Sequence, residues 1–326
     1  MTSRTGFWCA LMLAFGVPAT PQWANAADTY PNRPIRMVVG FAAGGATDLF
    51  ARIIGQGLSD RLGQQVNIDN RTGAGGSLGT DLVAKAAPDG YTLLMVSASH
   101  AINPSLFKAL PFDPVADFEP VTTAAVTSNV LVVHPSLPAA TMAEFLALAR
   151  AKPGSINLAS AGTGSSSHLA GELFKNLAGI NLVHVPYKGT ADSLRDLLPG
   201  QVQATVDALP ALLPHINRGT LRALGVGDSK RIALLPNVPT IAEGGVPGYE
   251  LYAWTGVVAP ARTPRDAINR LNREINAIIR LPEVQKRFAD MGGAALGGTP
   301  EEFAALIKSE IAKFAGIVKT AGVKVQ

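Results

Sequence analysis

The sequence predicts an α/β fold with two lobes around a cleft. Short apolar segments typical of strands alternate with segments whose apolar residues recur at spacings of three and four, as on one face of a helix. This alternation is the signature of an α/β fold with largely parallel sheets. Two glycine-rich loops, residues 40–46 and 160–165, each connect such a strand to such a helix. Because ligands of open α/β sheets bind beyond the carboxyl ends of strands, we expect both loops to face the cleft.

The first lobe is predicted to begin with a strand at 34–39 and a helix from Thr47. The helix would pack on the sheet through an apolar stripe, which comprises Leu49, Phe50, Ile53, Ile54, Leu58 and Leu62. The elements predicted next are a strand at 65–69, a helix at 77–86 and a strand at 92–97.

A second series of strands and helices follows from residue 129. Its strands are predicted at 129–134, 156–160, 182–185, 203–207 and 221–226, and its helices at 142–151, 166–177 and 193–198. This series is long enough for a lobe with its own core.

The C-terminal part is predicted to form one long strand at 249–259 and three helices, at 264–279, 282–291 and 300–321. Three helices without new strands cannot form a lobe alone, so we expect them to cover the first lobe. The chain would then cross between the lobes near Thr127 and near Tyr252. The predicted domains are a signal peptide at 1–26, a discontinuous first lobe at 27–127 and 252–326, and a second lobe at 128–251.

The N-terminus has the pattern of an export signal. Arg4 precedes an apolar stretch at 7–17, and Ala24-Asn25-Ala26 is a small-x-small cleavage site. The stretch is too short to span a bilayer, although an uncleaved anchor is the alternative. Cleavage near Ala26 predicts an exported protein that does not itself span a membrane. It would also remove Cys9, the only cysteine, so we expect no disulfide.

The charge balance argues against a nucleic-acid partner. The chain has 28 basic and 24 acidic residues, and loss of Arg4 leaves 27 against 24, a net charge of +3. The basic residues are scattered rather than interleaved with aromatic ones. The sequence has no P-loop, HExxH or complete GxGxxG motif, and His100, His134, His184 and His215 lack metal-like spacing. We therefore expect no nucleic acid, no cofactor and no metal.

The two glycine-rich loops are candidate anion sites. A helix N-terminus exposes unpaired backbone N–H groups and about half a positive charge, and glycine lets a ligand approach that backbone. Two such termini predict a clamp for a molecule with two acidic ends.

Five motifs in order along the chain carry a family resemblance. They are VGFAAGGATD at 39–48, SAGTG at 160–164, HLAGELF at 168–174, VPYKG at 185–189 and TPEEF at 299–303. With Asp207, Pro210 and the Pro-His-Ile run at 214–216, they make residues 31–325 resemble the Bug-type solute-binding receptors of tripartite tricarboxylate transporters. The resemblance implies a periplasmic binding protein of the two-lobed, type II, Venus-flytrap class. Such a protein closes on a small carboxylate and delivers it to membrane permease subunits.

The resemblance also implies a set of ligand-binding residues. The first loop would bind one carboxylate with Phe41, with the N–H groups of Ala43, Gly44, Gly45 and Ala46, and with Thr47 and Asp48. The second loop would bind the other end with Ala161, Thr163, Gly164 and Ser165, and His168 and Asp207 would lie close by. Ser97, at the end of a strand of the first lobe, is added on geometric grounds.

Several of these residues have an alternative, structural role. Asp48 could cap the first helix or accept a hydrogen bond from the ligand, and His168 could contact the ligand or pack. Asp207 could contact the ligand or hold the second loop. Ser166 and Ser167 are more typical of helix caps, and Lys188 of a solvated surface charge.

Two other function classes are compatible with parts of the sequence. Residues 75–79, Gly-Gly-Ser-Leu-Gly, match the GxSxG elbow of serine hydrolases around Ser77. However, five residues separate this match from the preceding strand, so the hydrolase interpretation is disfavoured. A periplasmic sensor that presents its ligand to a signalling kinase would use the same fold.

The chain departs from the common sequence pattern of this family at three positions. Gly40 stands where a proline is frequent and is expected to loosen the first loop. Thr190 replaces a frequent glycine, and Pro199 interrupts a loop that is usually glycine-rich. The sequence leaves open whether the ligand is a di- or tricarboxylate, an acidic amino acid or an aromatic acid.

Overall fold

The computed structural model describes residues 1–2, 30–320 and 322–323. The chain divides into the units Met1–Tyr30 and Pro31–Gln326, and every helix and strand below belongs to the second. The predicted export signal, with Arg4, Cys9 and the cleavage site at Ala26, lies outside the described residues. None of the described helices has the length and apolar composition needed to cross a bilayer.

The strands form one continuous ladder that bends at its centre. Along it the order is β2-β1-β3-β9-β4-β7-β5-β6, and β8 and β10 also pair with β4. In the described residues the strands are β1 (Ile35–Val39), β2 (Val66–Asn70), β3 (Thr92–Ser97), β4 (Phe118–Val133), β5 (Asn157–Ser160), β6 (Val183–Pro186), β7 (Ala204–Ala208), β8 (Arg222–Val226), β9 (Tyr252–Pro260) and β10 (Gly293–Ala295).

The sheet is mixed, whereas the sequence predicted largely parallel pairing. Strand β1 pairs in parallel with β2 and β3, and β5 pairs in parallel with β6 and β7. Strands β4 and β9 join these two trios by antiparallel pairing. The prediction of largely parallel pairing was wrong because β4 extends over 16 residues, and its first half was not predicted as strand.

Strands β4 and β9 carry the chain between the two halves of the sheet. The first part of β4, up to Ser128, pairs with β9, and the part from Asn129 pairs with β7 and β8. Strand β9 begins at Tyr252, opposite Ser128. These two strands are therefore the connections at which one half of the sheet could turn relative to the other.

The helices cover the sheet through apolar faces. The predicted stripe of α1 is buried at Phe50, Ile53, Ile54 and Leu58. Helix α8 packs on α1 and β4, and α10 packs on α3 and β4. The helices are α1 (Ala46–Leu62), α2 (Ser77–Ala84), α3 (Ser99–Leu106), α4 (Met142–Ala151), α5 (Ser166–Ala178), α6 (Thr190–Leu197), α7 (Leu209–Asn217), α8 (Arg265–Ile279), α9 (Pro282–Asp290) and α10 (Pro300–Thr320).

Strand β9 is anchored to helix α10 by a buried polar contact. The indole Nε1 of Trp254 donates to Glu310 Oε2 over 3.0 Å, and Phe303 meets the indole edge to face, with ring centroids 5.9 Å apart. All three side chains are buried. Because an indole N–H loses its hydrogen bond to water on burial, Glu310 is needed as its acceptor.

Candidate functional site

A small cavity lies where the two halves of the sheet face each other. About 40 Å³ is open there to the centre of a water molecule. We call it the central cavity, and its lining comprises Phe41, Gly45, Ala46, Thr47, Ser97, Thr127, Ala161, Ser165, Ser166, Thr190, Asp207, Ala208, Ala253, Trp254 and Thr255.

Four helices begin at this cavity. Its lining includes Ala46 in the first turn of α1, Ser166 in that of α5 and Thr190 in that of α6, together with the N-cap residue of α7, Ala208. Each N-terminus presents free N–H groups and the positive end of a helix dipole. These N-termini supply partial positive charge to the cavity, and no basic residue is found among the described residues that line it.

The side chains that line the cavity add neutral hydrogen-bonding groups. Hydroxyls come from both halves of the sheet, from Thr47, Ser97, Thr127 and Thr255 on one side of the crossing and from Ser165, Ser166 and Thr190 on the other. Hydroxyl and backbone N–H donors together suit an anion that is bound without a salt bridge.

The first glycine loop is held in place by Asp48. This carboxylate is 1 % exposed. Its Oδ2 accepts from Gly44 N over 2.9 Å and from Arg52 Nε over 2.8 Å, while Oδ1 accepts from Arg52 Nη2 and from Asn70 Nδ2. All four acceptor directions are occupied within the protein, and Asp48 does not line the central cavity. Of its two possible roles, the geometry favours fixing the loop.

The second glycine loop is held by serines and by His168. Ser165 caps α5 by accepting from His168 N over 3.2 Å, and Ser167 Oγ accepts from Ala161 N over 2.8 Å. His168 Nδ1 accepts from Gly164 N over 3.3 Å, and its ring stacks on His184. Burial, together with the neighbouring His184, lowers the pKa of His168 to about 4. His168 therefore packs against the loop as a neutral imidazole.

Asp207 is the one lining residue with a charged side chain. It is the last residue but one of β7 and is 3 % exposed. Oδ2 accepts from Thr190 Oγ1 over 2.8 Å, and Oδ1 accepts from Ala208 N over 2.8 Å. Burial raises the pKa of Asp207 to about 6, against the opposing effect of these hydrogen bonds.

A second space, the outer cavity, adjoins the central one and shares Phe41 and Ala161 with it. Its volume is about 290 Å³. It lies between residues 73–76 on one side and Gly162, Thr163 and residues 186–188 on the other. Gly75 and Gly76 belong to the GxSxG match, but Ser77 Oγ accepts from Asn103 Nδ2 over 2.9 Å. An amide cannot act as the base that a serine nucleophile requires.

Gly40 tightens this region, whereas the sequence predicted that it would loosen the first loop. A Cβ at Gly40 would lie 2.8 Å from Gly76 Cα and 2.9 Å from Gly76 O. Glycine is therefore what allows residues 39–41 and 73–76 to touch.

A larger cavity, about 730 Å³, lies beside strands β4 and β9. It shares Thr127 and Trp254 with the central cavity, but its lining is mostly apolar and its charged groups, Asp228 and Glu250, are acidic. None of the helices that begin at the central cavity contributes its first turn to it. The chemistry for anion binding is therefore in the small cavity rather than in the large one.

The structure brings together most, but not all, of the predicted site residues. Phe41, Gly45, Ala46, Thr47, Ser97, Ala161, Ser165 and Asp207 line the central cavity, and Thr163 lines the outer one. Ala43, Gly44, Asp48, Gly164 and His168 line neither. The sequence analysis missed the lining residues Thr127, Thr190, Ala208, Ala253, Trp254 and Thr255, and it treated Ser166 as a cap. Thr190 gave a signal as a departure from the family's sequence pattern, and Thr127 was predicted only as the point where the chain crosses between the lobes.

Comparison with known proteins assigns this chain to a family. The family model described as tripartite tricarboxylate transporter family receptor, TctC, matches residues 50–323. The chain belongs to this receptor family. Protein BugT of Bordetella pertussis is 41% identical over 302 residues, which are 92% of this chain and 93% of BugT. The family consists of solute-binding receptors.

Two solved structures of similar proteins hold carboxylates. R. palustris Rpa4515 with adipate is 38% identical, with a TM-score of 0.87, over 90% of this chain and 98% of that one. MatC from Rhodopseudomonas palustris with bound malate is 33% identical, with a TM-score of 0.85, over 89% of this chain and 100% of MatC. The TctC receptor chain described here therefore has the two-lobed α/β fold of the periplasmic binding proteins.

Proposed function

We propose that this TctC-family chain is a periplasmic receptor that captures a small carboxylate in the central cavity and delivers it to the permease of a tripartite transporter. The observation that carries the proposal is the convergence of four helix N-termini and seven hydroxyls on one cavity, where the part of the chain that the structure describes contributes no basic side chain. The adipate and malate bound by Rpa4515 and MatC support the ligand class.

The ligand would be held from both sides. One carboxylate would accept from the first turn of α1 and from Thr47, and the other end from the first turn of α5, with Ser165 and Ser166. Because these groups lie on opposite sides of the crossing at β4 and β9, only a closed arrangement lets one ligand touch both. Ligand binding would therefore shift an open–closed equilibrium toward the closed state.

The domain division follows from the same mechanism. The lobes would be 27–127 with 252–326, and 128–251, and they would turn about the crossings near Thr127 and Tyr252. Cleavage near Ala26 would release the receptor on the outer side of the inner membrane, where it captures ligand. Capture and release involve no covalent step, so no catalytic residue is assigned.

The test is a ligand screen of the chain from Ala27 onward. Purified protein is titrated with succinate, malate, aspartate, glutarate, adipate, citrate and benzoate, and thermal unfolding and the fluorescence of Trp254 are followed. A ligand that binds only the folded state must raise the melting temperature. Trp254 lines the central cavity, so a bound acid should also change its emission.

Two variants with a matched control locate the binding. Thr47→Val and Ser166→Ala each remove a hydroxyl from the cavity lining, whereas Ser309→Ala removes one from the exposed face of α10. A hydrogen bond to a charged group contributes about 1.5–3 kcal/mol, so affinity should fall roughly 10- to 150-fold in the first two and stay unchanged in the third. If no acid stabilises the protein, or if all three variants bind alike, the proposal is wrong.

A further inference from the structure

Asp207 is an unusual group to find in an anion site. It lines the central cavity, 3 % exposed, and no other charged side chain belongs to that lining. Its hydrogen-bond partners among the described residues, the Thr190 hydroxyl and the Ala208 N–H, are neutral donors, one on each oxygen. A carboxylate oxygen can accept two hydrogen bonds. One acceptor site on each oxygen therefore remains without a partner among these contacts.

Charged groups on the surrounding elements do not compensate Asp207. On the α6 side, Lys188 and Arg195 are exposed, and Arg195 pairs with Asp192. On the α1 side, Arg52 is committed to Asp48. No neighbouring charge contributes to the pKa of Asp207, which burial raises to about 6. A buried carboxylate without a cation is costly unless it gains further donors.

The groups that a bound ligand presents would determine whether Asp207 stays ionised or takes up a proton. An unsubstituted dicarboxylate offers only acceptors and CH₂ groups, so it would face an ionised Asp207 with repulsion or require that Asp207 take up a proton. A hydroxyl or ammonium group on the ligand would instead donate to a free acceptor position of the ionised side chain. Thr190 fixes the orientation of the carboxylate by donating to Oδ2.

We propose that Asp207 is a specificity-determining residue that accepts a hydrogen bond from a hydroxyl or ammonium group of the ligand. The receptor would then favour hydroxy- and amino-dicarboxylates over unsubstituted dicarboxylates of the same length. This inference rests on the proposed function, because it assumes that the central cavity holds a carboxylate.

The experiment compares ligands that differ only in this donor. Dissociation constants of succinate, L-malate and L-aspartate are measured by calorimetry between pH 6.5 and 8.5 for the wild type, Asp207→Asn and Asp290→Asn. Asparagine keeps the size of the side chain but loses the charge and one acceptor oxygen. Asp290→Asn is the matched control, since it makes the same change at an exposed aspartate of α9 that pairs with Lys286 and does not line the central cavity. Thermal unfolding without ligand checks that each variant folds.

The expected results separate the ligands by both affinity and pH. At pH 8, the wild type and Asp290→Asn should bind malate and aspartate at least about tenfold more tightly than succinate, because a site built around a hydrogen bond rejects the analogue that lacks the donor. Succinate affinity should fall by about tenfold per pH unit, because its binding requires one proton on Asp207, while malate affinity stays level. In Asp207→Asn the preference should shrink to about twofold and the pH dependence of succinate should vanish.

Two results would overturn the inference alone. The first is that the wild type binds succinate, malate and aspartate with equal affinity. The second is that Asp207→Asn keeps the wild-type preference for malate and aspartate over succinate. If no acid in the wider panel binds at any pH, the proposed function itself is wrong and the inference falls with it.

Discussion

The substitution Gly189→Ala should weaken the binding of every ligand by obstructing closure. Gly189 is the N-cap residue of α6, and the carbonyl of the preceding Lys188 accepts a hydrogen bond from Ala42 N over 3.2 Å. A Cβ at Gly189 would lie 2.8 Å from both Cβ and N of Ala42. The φ of Gly189 is 160°, which is extended backbone that alanine also adopts, so the added methyl group acts through this contact alone.

The size of the effect follows from the overlap. Ordinary contacts of a Cβ begin at about 3.4 Å, so the two loops must separate by about 0.6 Å or deform. Overpacking of this kind costs typically about 1–3 kcal/mol. The cost applies only to the closed state, where Gly189 and Ala42 meet. Affinity should therefore fall by roughly 5- to 150-fold, with the unfolding free energy of the ligand-free protein unchanged.

Calorimetric titration of the variant with the best ligand of the screen measures this loss, and small-angle scattering with saturating ligand reports whether closure is complete. Gly316→Ala is the control, because a Cβ at that position of α10 meets nothing within 4 Å. An affinity within twofold of wild type for Gly189→Ala would refute the reasoning, since the loops would then not need to touch when ligand binds.

Two further predictions concern stability. Asp48→Asn should lower the unfolding free energy by about 1–3 kcal/mol, because Gly44 N and Arg52 lose a charged acceptor. Chemical denaturation measures this loss. Unchanged stability together with weaker ligand binding would instead indicate that Asp48 contacts the ligand directly. Burial lowers the pKa of His100 and of His168 to about 4, so the unfolded state binds more protons between pH 6.5 and 4. The unfolding free energy should therefore fall as pH drops through this window, by up to about 3 kcal/mol for each histidine. Equal unfolding free energies from urea titrations at pH 7, 5.5 and 4.5 would contradict this.

Local patterns in the sequence were sufficient for elements that pack in a regular way. The apolar stripe of α1 predicted its buried face, and the structure has β3 (Thr92–Ser97) and α4 (Met142–Ala151) at the predicted bounds. Each has a clear local signal, such as the Thr141 capping box at the start of α4. The two glycine loops were located for the same reason, since a strand, a glycine run and a helix follow one another directly.

Elements that depend on distant pairing were missed. The first half of β4 forms because it pairs with β9, and β10 forms because it pairs with β4, in each case far away in sequence. Helices α3 and α7 each contain a proline, Pro104 and Pro214, which locally disfavours a helix. Their packing against the rest of the protein overrides that preference. The contribution of Thr190 and Thr255 to the cavity could not be predicted either, because it depends on how the two halves of the sheet face each other.

The structure divides the glycines of the cleft between two tasks that the sequence did not separate. Gly45 lines the cavity where backbone would bind ligand, whereas Gly189 and Gly75 lie where the two sides touch, and a Cβ at Gly75 would lie 2.4 Å from Thr163 O. Affinity would therefore have two independent components, one from contacts with ligand and one from contacts between loops. A change at Gly189 should lower affinity for all ligands by the same factor, while a change at Asp207 should alter the ratio between them. Measuring both variants against the same set of acids distinguishes closure from recognition.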